Sequence, residues 1–328
     1  MTIAVVPLTE PDQAYEIDRT VWLYDTPDIP FASRTDFRAA FEAPVPWCIT
    51  ERYLGVIDGE PVGTLELRLP QLDNLDNADV EIGVLPVCRR RGVGRALHER
   101  ALARVRELGR KRIFGETVAN HPDGAAFATD LGAAAGLAET RSRLDLDTAD
   151  HDRLDHLLAE AWPHAAGYRL VQWIGAAPDE LVDDVAYLDG RLNLDAPMGD
   201  LDVEAEKIDA DRVRAGEEMS RRRRRITIHS GAVHAASGRM VAFTMLAGVR
   251  DLAEHLWQNI TIVDPGHRGH RLGLIIKIEN LRYARRHRPG LRAVDTFNAS
   301  ANEHMLAINR TMGFHPVDAW MQWQQTVA

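Results

Sequence analysis

Residues 82–97 read IGVLPVCRRRGVGRAL, and residues 261–276 read TIVDPGHRGHRLGLII. In both, an apolar run ends on a proline, an arginine stands three residues later and a glycine eight residues later: Pro86, Arg89, Gly94 and Pro265, Arg268, Gly273. A strand that passes through an Arg- and Gly-rich turn into a helix leaves the first N–H groups of that helix without acceptors. Those groups, the helix dipole and glycines lacking a Cβ together form a cradle for a pyrophosphate. In the first copy Gly92 and Gly94 flank Val93, and Arg89, Arg90 and Arg91 add positive charge. The second copy runs Arg268, Gly269, His270, Arg271, Leu272, Gly273, with Arg271 where the first has Gly92. A single loop of this kind reads as a plain strand-to-helix turn with solvated arginines. Two copies in one register argue against coincidence.

The surroundings repeat as well. GVIDGEPVGTLELRLP predicts two strands about an Asp58-Gly59 turn, and SGAVHAASGRMVAFTMLAGV predicts a second hairpin about Ser237-Gly238. A strand precedes each loop. After it, Val93, Leu97, Ala101, Leu102, Val105 and Leu108 form one helical apolar stripe that Gly109 can end. Each half closes with a further strand (RIFGETVAN, RAVDTFN) and a helix that ends on Gly132 or Gly313. The expected architecture is α/β (α+β, with a mixed central sheet), built as two tandem domains. We place the first at 1–148, a polar Asp-rich connector with a short amphipathic helix at 149–165, and the second at 166–328.

The 328 residues are 45% hydrophobic and 27% charged, the balance of a globular protein. No run approaches the roughly 20 apolar residues of a membrane helix, and the N-terminus lacks a signal peptide's pattern, so a cytoplasmic protein with no membrane partner is expected. The net charge of −10 disfavours nucleic acid and attracts cations. The run Arg221 to Arg225 stands alone in this acidic chain and is read as a solvated helix end. Cys48 and Cys88 have no metal-ligand spacing, and no metal site is expected.

The V-x-P strand end followed by R-x-x-G-x-G, as in Val84-Leu85-Pro86 and Arg89 to Gly94, resembles the GCN5-related N-acetyltransferase (GNAT) superfamily. The repeat in Val263-Asp264-Pro265 and Arg268 to Gly273 is similar to its tandem members, such as mycothiol synthase-like proteins. The resemblance covers nearly the whole chain. It implies acetyl-coenzyme A as cosubstrate, its pyrophosphate on the loop backbone and its pantetheine arm along Ile82, Gly83 and Val84, or along Thr261, Ile262 and Val263. It also implies contacts from Asn302, with Asn120 the looser match in the first copy, and an amine or peptide acceptor in the cleft between domains. The tyrosine that many members use to protonate the leaving thiolate is absent, since Ala128 and Asn309 occupy its places.

Direct acyl transfer needs an amine that has lost its proton. In the strand before the first loop Val80, Ile82 and Val84 share one face, which puts Glu81 on the other. Glu81 reads either as a base raised by burial or as an acid paired with an arginine; Glu116 is the second candidate base. Glu254, His255 and Asp295 are weaker candidates in the second copy, which has Ile260 in the place of Glu81. The leading expectation is an active N-acetyltransferase with its competent loop in the first domain. The alternative is a degenerate acyl-coenzyme A-binding or regulatory protein.

Overall fold

The structure, a computed structural model, describes residues 1–327. It packs into two units. Unit 1 comprises Met1–Glu139, Met198–Glu204 and the chain from Asp318 onward; unit 2 comprises Thr140–Pro197 and Ala205–Val317. Each unit holds one copy of the repeat. Division by packing is thus discontinuous along the chain, whereas division by sequence copy is continuous.

Unit 1 begins with β1 (Ile3–Pro7), α1 (Pro11–Asp25) and α2 (Arg34–Glu42). The hairpin β2 (Cys48–Ile57) and β3 (Glu60–Pro70) turns at Asp58 and Gly59, both left-handed at φ 49° and 93°, which matches the right-handed twist of paired strands. Next come β4 (Asn77–Val84), α3 (Val93–Glu107), β5 (Arg112–Val118) and α4 (Pro122–Asp130), with β6 (Ala134–Asp145) dividing between the units at Glu139/Thr140. The apolar stripe of α3 buries Val93, Leu97, Ala101 and Val105 against Leu65, Leu67 and Leu69 of β3, while Leu108 stays exposed at the helix end. Gly109, at φ 66°, ends the helix as its position suggested.

In unit 2, α5 (His151–Ala161) is capped by Asp150, whose carboxylate accepts the N–H of Arg153 at 2.9 Å. Its Leu154, Leu158 and Ala161 are core residues, so the short amphipathic helix expected in the connector packs into unit 2. There follow β7 (Tyr168–Ile174), α6 (Val182–Asp189), α7 (Leu192–Asp195), α8 (Ala210–Arg222), the hairpin β8 (Arg225–His234) and β9 (Met240–Val249), then β10 (His255–Val263), α9 (Leu272–His287), β11 (Ala293–Ala299), α10 (Glu303–Met312) and β12 (His315–Thr326), which belongs to unit 1 from Asp318 onward. The run Arg221 to Arg225 spans the end of α8 and the start of β8, with Arg221 on Glu218 and Arg224 on Asp251.

Strand order in unit 1 is β1-β2-β3-β4-β5-β12. The C-terminal strand β12 lies antiparallel on β5 from Trp320 opposite Val118 to Thr326 opposite Arg112. In unit 2 the order is β6-β11-β10-β9-β8-β7. β6 is anchored there by Arg141 and Arg143, which bind Asp295 of β11 at 2.8 and 2.6 Å. Each repeat therefore takes its last strand from the other copy's stretch of sequence.

Candidate functional site

Two strands that should run side by side part company in each unit. β4 pairs in parallel with β5 only over Asn77–Asp79, opposite Arg112–Phe114, so Ile82, Gly83 and Val84 have no β5 partner. β10 likewise pairs with β11 only over His255–Gln258, which leaves Thr261, Ile262 and Val263 free on that side. A strand edge with unpaired N–H and C=O groups accepts an extended ligand as one more strand.

The loops follow at the open ends. In unit 1 the first helical N–H with an acceptor on the loop is that of Ala96, bonded to the Gly92 carbonyl at 3.0 Å, so the N–H groups of Val93, Gly94 and Arg95 remain available to an anion. In unit 2 the counterpart is Ile275, bonded to the Arg271 carbonyl at 3.1 Å. Each loop has two left-handed residues, Arg90 (φ 61°) and Gly92 (φ 90°) in one and Gly269 (φ 87°) and Arg271 (φ 56°) in the other. The second loop has not lost its backbone form: glycine and arginine have traded places. Arg271 points away, with its guanidinium 3.4 Å from the Glu160 carbonyl.

The arginine common to both loops is not a free cation. Arg89 donates to the Val84 carbonyl at 3.2 Å and to Asp25 at 2.7 Å, and Arg268 donates to Val263 at 3.3 Å and stands 3.0 Å from Asp195. Both clamp the strand end to a preceding helix. Exposed charge near the first loop comes instead from Arg90 and Arg91. In the second, His267 accepts or donates with the Tyr168 hydroxyl at 2.9 Å and lies 4.8 Å from the His234 ring, while His270 packs 5.3 Å from Tyr168.

Beside the open part of β4, unit 1 carries a face of carboxylates. Glu81 pairs across the strands with Glu66, and Gly83 with Thr64, so these residues share the face turned toward α1, while Val80, Ile82 and Val84 pack on the α3 side. Glu66 is held by Arg52 at 2.7 Å, whereas Glu81 has only Arg68, at 3.9 Å. The surrounding protein pushes the Glu81 carboxyl above its ordinary range, Arg68 opposes this and Glu66 adds to it. Its side chain is nevertheless 67% exposed, so water screens much of that rise. Glu116 is pushed up by desolvation and by the charge of Glu81, and accepts Gln322 of β12 at 3.0 Å; the same amide reaches Glu139 at 2.9 Å.

Asp18 of α1 belongs to this face and was not singled out from sequence. Thr64 donates to it at 2.6 Å, and burial, opposed by that hydrogen bond, brings its carboxyl to about 7. The available signal was an acid inside an apolar helical stripe, since Ala14, Ile17 and Val21 surround it at helical spacing.

Unit 2 has no such face. Ile260 is buried, and the places of Gly83 and Thr64 are taken by Ile262 and Phe243, which pack with Ile260 in one apolar cluster. Asp295 is fully buried; burial would raise it, but hydrogen bonds from Arg143 and His255 hold it well below the carboxylate range, which makes it a structural anion. His255 stands 3.2 Å from it, and Glu254 receives the N–H groups of Arg292 and Ala293 on its backbone carbonyl. Asn302 caps α10, accepting the Met305 N–H at 3.2 Å, while Asn120 is exposed before α4. Among the described residues no group of three or more His, Cys, Asp or Glu side chains is arranged to hold a metal ion.

Comparison with known proteins agrees with this geometry. The family model described as Acetyltransferase (GNAT) family matches residues 12–133. A solved tandem GNAT protein from the clavulanic acid biosynthesis pathway is 30% identical over 100% of this chain and 99% of its own, with a TM-score of 0.81. The chain belongs to the GNAT family. Its fold is shared by a GNAT protein from Sphaerobacter thermophilus (14% identity, 99% and 96% coverage, TM-score 0.70) and by a putative acetyltransferase from Pyrococcus horikoshii (14%, 99% and 90%, 0.57). No protein of curated function matches the sequence. As a tandem GNAT, the chain carries a fold that binds acetyl-coenzyme A and supports acyl transfer.

Proposed function

We propose that the chain is an acetyl-coenzyme A-dependent N-acetyltransferase whose competent site lies in unit 1 and whose acceptor is a cationic amine. The observation that carries this reading is the open edge of β4, which joins a free helix N-terminus at one end to a carboxylate face along its length. Ile82, Gly83 and Val84 would hold the pantetheine arm, and the N–H groups at the start of α3, with Arg90 and Arg91, the pyrophosphate. Glu81 and Glu116 would draw the acceptor ammonium into the cleft. Transfer is direct: the amine nitrogen attacks the thioester carbonyl, the C–S bond breaks and the thiolate takes a proton. A coenzyme thiol with an ordinary pKa near 8.5 needs no dedicated acid, in keeping with Ala128 at the tyrosine position.

The second copy, centred on 166–328 in the sequence, keeps the open strand and the loop form but has no carboxylate at Ile260; it would bind an acyl-coenzyme A without catalysing transfer. Likeness to a tandem protein of clavulanic acid biosynthesis supports a small-molecule acceptor. Thiol release from acetyl-coenzyme A with a panel of mono- and polyamines tests the proposal. Steady turnover with at least one amine is expected; no turnover with any, together with no binding of acetyl-coenzyme A by titration calorimetry, overturns it.

A further inference from the structure

The strand facing the cosubstrate arm is overlooked by a helix, and the group that helix presents differs from every other carboxylate of the cleft. α1 packs on β3 and β4, and Asp18 lies where Thr64 of β3 meets Gly83 of β4. A Cβ on Gly83 would stand 3.0 Å from the Thr64 hydroxyl and 3.7 Å from Val21, so the Asp18–Thr64 pair sits directly over the middle of the segment that lines the arm. Glu66 is committed to Arg52, Glu116 to Gln322, and Glu81 is open to water with Arg68 favouring its ionised form. Asp18 has one oxygen on Thr64 and, among the described residues, no ion pair.

We propose that Asp18, held by Thr64 over Gly83, is the base that takes the proton from the acceptor ammonium. The inference rests on the acetyltransferase reading of unit 1 and names a residue that the strand motif does not. The step balances: R–NH3+ gives one proton to the Asp18 carboxylate, and the neutral amine attacks the thioester carbon. The C–S bond then breaks as the amide forms, and the second nitrogen proton goes to the thiolate. Asp18 returns its proton to solvent in the next cycle.

The surroundings of Asp18 explain why it suits this task. Burial raises its carboxyl most and the Thr64 hydrogen bond opposes this; Glu81 from β4 and Glu66 from β3 repel the negative form, Arg52 from β2 attracts it, and the carboxyl is pushed up to about 7. From α2, Arg34 and Arg38 are spent on Asp12 and Glu16, toward the start of α1. A base that titrates near the working pH combines the correct protonation state with a useful proton affinity. Activity should therefore rise with pH through a limb near 7.

The test is the pH profile of kcat/KM in four proteins, with acetyl-coenzyme A affinity measured in each. Asp18→Asn should lose about 100-fold or more in kcat/KM, with the limb abolished and acetyl-coenzyme A affinity kept. Thr64→Val removes a hydrogen bond to the charged form, so its limb should move up by about one pH unit. Glu81→Gln removes a repelling charge, so its limb should move down. A purely structural role for Asp18 predicts neither displacement. If Glu81→Gln abolishes the limb while Asp18→Asn keeps it, or if Asp18→Asn stays within about threefold of the unaltered protein, the inference is overturned. Failure of the acetyltransferase reading would show differently, as no thiol release from the unaltered protein, and would overturn both.

Discussion

Asp295→Asn tests the anchor that binds β6 into unit 2. Asp295 and Arg141 are both fully buried, and Arg143 is 15% exposed. Removing the carboxylate charge leaves the Arg141 guanidinium buried without its counterion, whereas Arg143 can turn toward water. Breaking one side of a buried ion pair costs about 3–5 kcal/mol, a large part of the 5–15 kcal/mol by which domains are stable. For a unit of this size that is a fall of roughly 6–20 °C in Tm. Urea unfolding followed by tryptophan fluorescence measures it, with the transition assigned to unit 2 through Trp162, Trp173 and Trp257. Replacing both buried partners, Arg141→Met with Asp295→Leu, should recover much of the loss, because no fully buried charge is then left without its counterion while Arg143 can turn toward water. A loss below about 1 kcal/mol for Asp295→Asn would refute the view that this network holds the strand. Acid should act in the same direction: the folded carboxyl lies below its unfolded value of 3.8, so its stabilisation is present above that pH and is lost as the pH falls toward the folded value.

His229 stacks on Trp173 at 4.8 Å with both ring nitrogens buried and unbonded, and its pKa falls to about 3. Because the unfolded chain takes up this proton near 6.5 and the fold resists it, stability should fall between those values as the pH drops; His229→Phe should remove that slope and add about 1–2 kcal/mol at pH 7, and an unchanged slope would count against it. Arg271→Gly relieves a left-handed arginine at φ 56°, so thermal unfolding should show it neutral or up to about 1 kcal/mol more stable, and a clear loss would mean the Glu160 contact outweighs the strain.

Much of the fold was legible because its punctuation is local. Asp58-Gly59, Gly109 and the two Pro-to-Gly loops each dictate a backbone shape on their own, and the two-residue alternation in β4 correctly put Glu81 opposite Val80 and Ile82. What escaped is non-local. Nothing in QWQQT says that β12 will pair with β5 rather than with a strand of its own copy, since an edge offers the same N–H and C=O groups to any strand. Arg271 stands where the first loop has Gly92, and residue identity does not say which loop positions turn left-handed; Gly269 supplies the freedom that Arg90 does without in the first loop. Asp18 is remote in sequence from β4, and only the packing of α1 brings it over Gly83.

The central claim, that unit 1 holds the competent coenzyme loop, is tested most directly by titrating acetyl-coenzyme A into Gly92→Val and Gly273→Val and measuring thiol release from each. Gly92 is left-handed at φ 90° at the mouth of α3 and a Cβ there would stand 3.3 Å from Ile3, so a branched side chain strains the loop that presents the helix N–H groups. Gly92→Val should lose binding at the first site by about 100-fold and turnover with it, while Gly273→Val, whose position has no neighbour nearer than 3.8 Å, should keep its turnover. A dead Gly273→Val beside a Gly92→Val of normal activity would contradict the account and place catalysis in unit 2.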